Sequence, residues 1–130
     1  MSFLLDTHAL IWWLAAPMRL SRLALACIEG EDAQVFVSVA SLYEIEYKRD
    51  RDQFLYRLPK DLLRLVPMLG FEWLSLEPDD APDAARLASG HRDPWDRIIA
   101  AQAERRRLGL ITADVALSRA CVDWRVKTVW

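Results

Sequence analysis

Apolar residues in this chain fall into two patterns that alternate from end to end. One is the short continuous run: Phe3-Leu4-Leu5, Gln34-Val35-Phe36-Val37, Glu72-Trp73-Leu74-Ser75-Leu76, Leu110-Ile111-Thr112 and Val126 to Trp130. Runs of this length, with β-branched and aromatic residues, predict short strands covered on both faces. The other pattern is the amphipathic stretch between them. Thr7 to Ala16 predicts a helix stopped by Pro17, and Ser21 is placed to cap a second helix that ends at Gly30. Ser38 to Arg49 predicts a third, with Leu42, Ile45 and Tyr47 packing inward. Pro59 fits the first turn of a helix running to about Leu69, Pro78 to Ala88 predicts another before Gly90, and Pro94 opens a strong one that ends near Gly109. Val115 to Arg119 predicts a short further helix. Strands interleaved with helices imply an α/β fold, a doubly wound and mainly parallel sheet flanked by helices. Glycines and prolines are scattered as punctuation, with no repeat and no linker, so residues 1–130 are expected to form a single domain.

In such sheets ligands bind beyond the carboxyl ends of the strands. Four acids fall at those places. Asp6 follows the first strand directly, and Asp114 stands two residues past Thr112. Glu44 lies in the helix after the second strand, and Asp96 lies in the first turn after Pro94. Each also has a simpler role. Asp6 and Asp114 suit helix N-caps, and Asp93 and Asp96 suit the positive end of a helix dipole. Ser41-Leu42-Tyr43-Glu44 matches a capping box, Glu44 and Lys48 have the spacing of a surface ion pair, and Glu46 is a rival on another face. Residue type leaves both roles open for each acid. Their shared placement is what points to chemistry. Carboxylates gathered on one sheet edge repel and raise one another's pKa unless a cation neutralises them. Oxygen-only ligation suits Mg²⁺ or Mn²⁺, and no His/Cys cluster competes, since His8 and His91 are alone in their segments.

Charge changes this picture in one respect. The net charge is −2, so a polyanionic partner must be held by local cations or by metal. Candidate phosphate contacts are Lys48, Arg49, Arg51 and the run Arg105-Arg106-Arg107, which as cations near helix ends equally suit the dipole. Arg97, closer to the acids, fits a phosphate or a carboxylate. With 53% hydrophobic and 28% charged residues, the chain falls outside the disordered class. Cys27 and Cys121 form no CxxC pair, the Met1 to Asp6 segment lacks the flanks of a secretory leader, and no apolar run reaches the ~18 residues of a membrane span. A reduced, cytoplasmic location is expected. Trp12 and Trp13 are adjacent on one helix, so one is expected in the core and the other partly exposed, where an apolar patch would mark an interface.

Four blocks together resemble the PIN-domain ribonucleases, and within them the VapC-type toxins of toxin–antitoxin pairs. They are Leu4 to Trp13, Ser38 to Ile45, His91 to Ala103, and Leu110-Ile111-Thr112-Ala113-Asp114, whose order and spacing cover almost the whole chain. Trp95 stands where the family usually has Phe, and Arg51 to Leu76 carries no usable motif. The resemblance implies a PIN-like fold with Asp6, Glu44, Asp96 and Asp114 as metal-binding and catalytic acids, and Asp93 as a supporting one. It implies one or two Mg²⁺ or Mn²⁺ ions and hydrolysis of RNA phosphodiesters by water of lowered pKa. It also implies two protein partners, a second copy of the chain and an antitoxin that covers the groove.

Two other classes compete. A PIN-like module that binds protein or RNA without cutting is expected where a family acid is missing, yet all four positions are filled. A phospho-acceptor domain also gathers acids at strand ends, but it needs a nearby late lysine, and Lys127 falls within the last predicted strand.

Overall fold

The computed structural model describes residues 1–88 and 90–130. Five strands form one sheet: β1 (Ser2–Leu5), β2 (Gln34–Ser38), β3 (Glu72–Leu74), β4 (Gly109–Ile111) and β5 (Thr128–Val129). Their order is β3-β2-β1-β4-β5, and every neighbouring pair is parallel. Between them run α1 (Thr7–Ala15), α2 (Arg22–Glu29), α3 (Val39–Lys48), α4 (Gln53–Tyr56), α5 (Leu62–Met68), α6 (Asp80–Arg86), α7 (Pro94–Arg106) and α8 (Val115–Asp123).

The period of two along β1 explains the layers. Phe3 and Leu5 face one way, where they join Val35, Val37 and Ile111 against Leu10 of α1, Ala24 and Ile28 of α2, and Ile45 of α3. Leu4 faces the other way, where it meets Leu110, Ile99 and Ala103 of α7, and Leu117 and Cys121 of α8. Leu4 and Leu5 are both 0% exposed, which is why the central strand is apolar on both faces after Ser2.

The predicted elements are present, with differences that have physical causes. Ser75 and Leu76 leave the third strand, and the Ser75 carbonyl instead accepts from Nε2 of Gln102 at 3.3 Å. The helix expected from Pro59 begins at Leu62, and α4 precedes it. Arg49 is the reason. Its guanidinium is buried and donates to the carbonyls of Leu55, Leu58 and Pro59, so the chain wraps around it. Ser38 caps α3, its Oγ accepting from Ala40 N, which leaves Glu44 inside the helix rather than in a capping box. Tyr47 does not pack inward, being 50% exposed. Neither Trp12 nor Trp13 is fully buried: Trp13 packs on Phe71 and Trp12 on Trp130, each with rings 5.6 Å apart. Helix α8 extends past Arg119 to Asp123. Among the described residues no helix is long and apolar enough to cross a membrane.

Candidate active site

The strand order reverses at β1, with β2 on one side and β4 on the other, so a crevice opens beyond the carboxyl ends of these strands. Asp6 stands at its floor. Its backbone N–H donates to Ile111 O at 3.0 Å, which ties the end of β1 to the end of β4. Its Oδ1 accepts from Ala9 N at 2.7 Å, capping α1. The side chain is only 3% exposed, and burial pushes the carboxyl from its ordinary 3.8 up to about 6. A hydrogen bond from Thr112, the Ala9 N–H and the charge of His8 oppose that rise, while the charge of Asp96 adds to it.

Asp96 arrives from the opposite layer. Asp93 caps α7 by accepting from Asp96 N at 3.0 Å, with Pro94 as the first helical residue. The Oδ2 of Asp96 lies 2.9 Å from His91 Nε2. Burial again raises this carboxyl above the ordinary range; His91 works against the rise, and the charges of Asp93 and Asp114 reinforce it. Asp114 caps α8 through Leu117 N at 2.9 Å and remains exposed. Below these acids lies Cys121, 0% exposed, whose thiol is pushed up to about 12 by burial and then by the charges of Asp96, Asp114 and Asp6. A buried thiol held protonated is a poor nucleophile.

Glu44 joins by another route. It is 6% exposed, and its Oε1 accepts from Thr7 Oγ1 at 2.7 Å, next in sequence to Asp6. Lys48 Nζ donates to its Oε2 at 2.6 Å, and the charges of Asp93 and Asp96 also act on that lysine. Glu46 points away and pairs with Arg49 at 2.8 Å, so of the two glutamates Glu44 is the one beside Asp6.

The caps at Asp6, Asp93 and Asp114 and the Glu44–Lys48 ion pair read from the sequence are present, and the Ser41–Glu44 capping box is not. Asp96 acts electrostatically on Asp6 and Asp114 on Asp96, and Glu44 borders them through Thr7 and Lys48. Among the described residues no three His, Cys, Asp or Glu side chains stand as a ready-made metal cage. The donor set nevertheless fits a hard divalent cation. It consists of carboxylate oxygens, two of them with raised pKa values, and the ammonium of Lys48 already sits on one Glu44 oxygen.

The expected phosphate cations are mostly committed elsewhere. Arg49 is buried in its ring of carbonyls. Arg97 is engaged by the backbone: it donates to the carbonyls of Ala84, Ala85, Leu87 and His91, stitching the segment before α7. Arg105 and Arg106 pair with Asp80, Asp79 and Asp83. Lys48 remains beside the acids, and with Arg19, which the sequence did not mark, it lines a pocket of about 250 Å³ against Thr7, Glu44 and Trp12. Lys127 lies with Met1, Ser2 and Gly109 at the amino ends of the strands, far from Asp6, which removes the phospho-acceptor arrangement. The hydroxyls of Thr7, Ser41 and Thr112 were also unmarked. Their only signal was position, beside an acid or within the helix that carries one.

This topology, with acids at the switch point of a parallel five-stranded sheet, defines an α/β protein of PIN-like fold. The PIN domain matches residues 3–123, and the chain belongs to the PIN-domain family. It is 32% identical over 130 residues to Ribonuclease VapC22 of Mycobacterium tuberculosis (strain ATCC 25618 / H37Rv), covering 98% of this chain and 97% of that protein. Solved structures share the fold. VapBC2 from Rickettsia felis, bound to a DNA fragment from their promoter, has a TM-score of 0.68 and 13% identity, covering 99% of this chain and 98% of that one. A toxin–antitoxin complex from Klebsiella pneumoniae has a TM-score of 0.64 and 22% identity, covering 98% and 96%.

Proposed function

We propose that this chain is a metal-dependent endoribonuclease and the toxin of a toxin–antitoxin pair, acting as a single domain over residues 1–130 in the cytoplasm. The observation that carries the reading is the buried Asp6, held at the floor of the crevice with its carboxyl up at about 6 and with Asp96 adding charge rather than relieving it. A divalent cation would relieve that crowding of negative charge. Asp6, Glu44, Asp96 and Asp114 would hold Mg²⁺ or Mn²⁺. When bound, the ion supplies Lewis-acid charge to a phosphodiester and lowers the pKa of water.

The chain's own residues do the rest. Thr112 and the Ala9 N–H fix the Asp6 carboxylate, Thr7 fixes that of Glu44, and His91 fixes that of Asp96. Lys48 and Arg19 place positive charge beside the acids for RNA phosphates. The similarity to a named ribonuclease supports the activity, and the similarity to toxin–antitoxin complexes supports an antitoxin partner. A homodimer is part of the same proposal.

Calorimetric titration with Mn²⁺ separates this reading from a non-catalytic binding module. A nuclease centre binds the ion, and Asp96→Asn weakens that binding at least about tenfold. Heats equal to buffer in the wild type would leave the acids as helix caps alone.

A further inference from the structure

Beside the acids, the outer face of α3 carries aromatic rings that the core does not use. Tyr43 and Tyr47 are 61% and 50% exposed, one helical turn apart. Their rings lie nearly parallel, at 15°, with centroids 5.9 Å apart. Trp95 of α7 closes the group, at 6.3 Å from Tyr43 and 6.1 Å from Tyr47. Cations are interleaved: Lys48 Nζ sits 4.9 Å from the Trp95 ring centroid, and the Arg51 guanidinium carbon 4.9 Å from that of Tyr47. The patch is continuous with the acids. Trp95 directly precedes Asp96, and the same Lys48 ammonium bonds Glu44.

Two exposed tyrosine rings and a half-buried tryptophan, with cations between them, match a strand of unpaired bases on a charged backbone: the rings take the bases and the cations take the phosphates. A duplex has its bases stacked inward and offers no such faces. Tyr, Trp and Arg also suit a protein interface, but continuity with the acids, through Trp95 beside Asp96 and Lys48 on Glu44, favours an RNA strand over a second copy.

We propose that Tyr43, Tyr47 and Trp95, with Lys48 and Arg51, form a stacking platform that holds unpaired bases of single-stranded RNA beside the acids. This rests on the ribonuclease reading and narrows it to unpaired segments of the substrate.

The test uses the whole protein and a fluorescently labelled single-stranded oligoribonucleotide, with a duplex of the same sequence as control. Binding is read by anisotropy in EDTA, and KM and kcat are read in Mg²⁺. Tyr43→Ala and Tyr47→Ala are expected to raise the single-strand Kd and KM by roughly five- to a hundredfold, with kcat little changed. Tyr43→Phe and Tyr47→Phe, which keep the ring, should bind as the wild type does. Duplex affinity should not move.

If the wild type cuts RNA and the alanine variants bind and cut single strands equally well, the platform is wrong and the nuclease reading stands. Equal losses for single strand and duplex also overturn it, since they report charge or folding rather than stacking. Variants that turn a dimer into a monomer in sedimentation, with RNA affinity unchanged, assign the patch to a second copy and overturn it. A wild type that neither binds nor cuts RNA overturns both readings.

Discussion

Asp6 shows how one side chain can serve as a cap and still be in tension with the fold. Capping uses Oδ1, yet burial outweighs the Thr112 and Ala9 hydrogen bonds and the charge of His8, so the carboxyl is raised. The pH dependence follows from the direction of the shift. Asp6 holds its proton more tightly folded than unfolded, so its contribution is fully present below about pH 4 and is lost as pH rises through about 6. The size is on the order of 3 kcal/mol, at about 1.4 kcal/mol per unit of pKa. Asp80 acts in the opposite sense. Burial alone would raise it, but the Arg106 hydrogen bonds, the Glu77 N–H and the charges of Arg106 and Arg105 hold it below the ordinary range, so its stabilisation is lost as pH falls. A comparison between variants isolates Asp6. In urea unfolding of metal-free protein, Asp6→Asn should be the more stable form at about pH 7 and lose that advantage at about pH 4. Mg²⁺ should stabilise the wild type and not the variant. A variant less stable than the wild type at neutral pH would contradict the shift.

Residue type gave each acid two roles; the structure shows the caps of Asp6 and Asp114, and because a cap engages one carboxylate oxygen the other stays available for the proposed ion. The hydroxyls that orient the acids were not legible. Thr7 meets Glu44 across 37 residues and Ser38 meets Gln102 across 64, and a single sequence carries no signal for such pairings.

At the level of elements, strands were the most legible, since apolar runs of three or four residues between helices leave few alternatives. The segment after α3 was the least. Arg49 ends a helix beside Lys48 and Arg51 and resembles a surface cation, yet it is the hub around which residues 53–60 fold. Its planar fork reaches three carbonyls and Glu46 together, which an ammonium cannot do. Arg49→Lys should therefore cost roughly 2–4 kcal/mol in chemical unfolding, because buried carbonyls lose their donors. If Arg49 were instead a phosphate contact, the same change would leave stability intact and weaken only RNA binding. Arg97 belongs to the same class, a sequence neighbour of the acids that bonds four backbone carbonyls.

For the whole molecule, the fold class follows from alternation, and the location of the site follows from where a parallel sheet reverses its strand order. The sequence did not reveal how a chain of net charge −2 distributes its cations. Most of those marked as phosphate contacts are tied up in Asp80, Glu46 and backbone carbonyls, leaving Lys48, Arg51 and Arg19 near the crevice. In the proposed function, the divalent ion would therefore hold RNA as well as take part in cutting it. The central claim is that the acids at the switch point hold this ion and thereby cut RNA. Its most direct test is cleavage of a labelled single-stranded RNA by wild type and Asp6→Asn, in Mg²⁺ and in excess EDTA. Cleavage by the wild type in Mg²⁺ alone, its return when Mn²⁺ is added back, and a loss of at least about a hundredfold in Asp6→Asn are the predicted results. Undiminished cleavage in EDTA, or full activity in Asp6→Asn, would contradict the account.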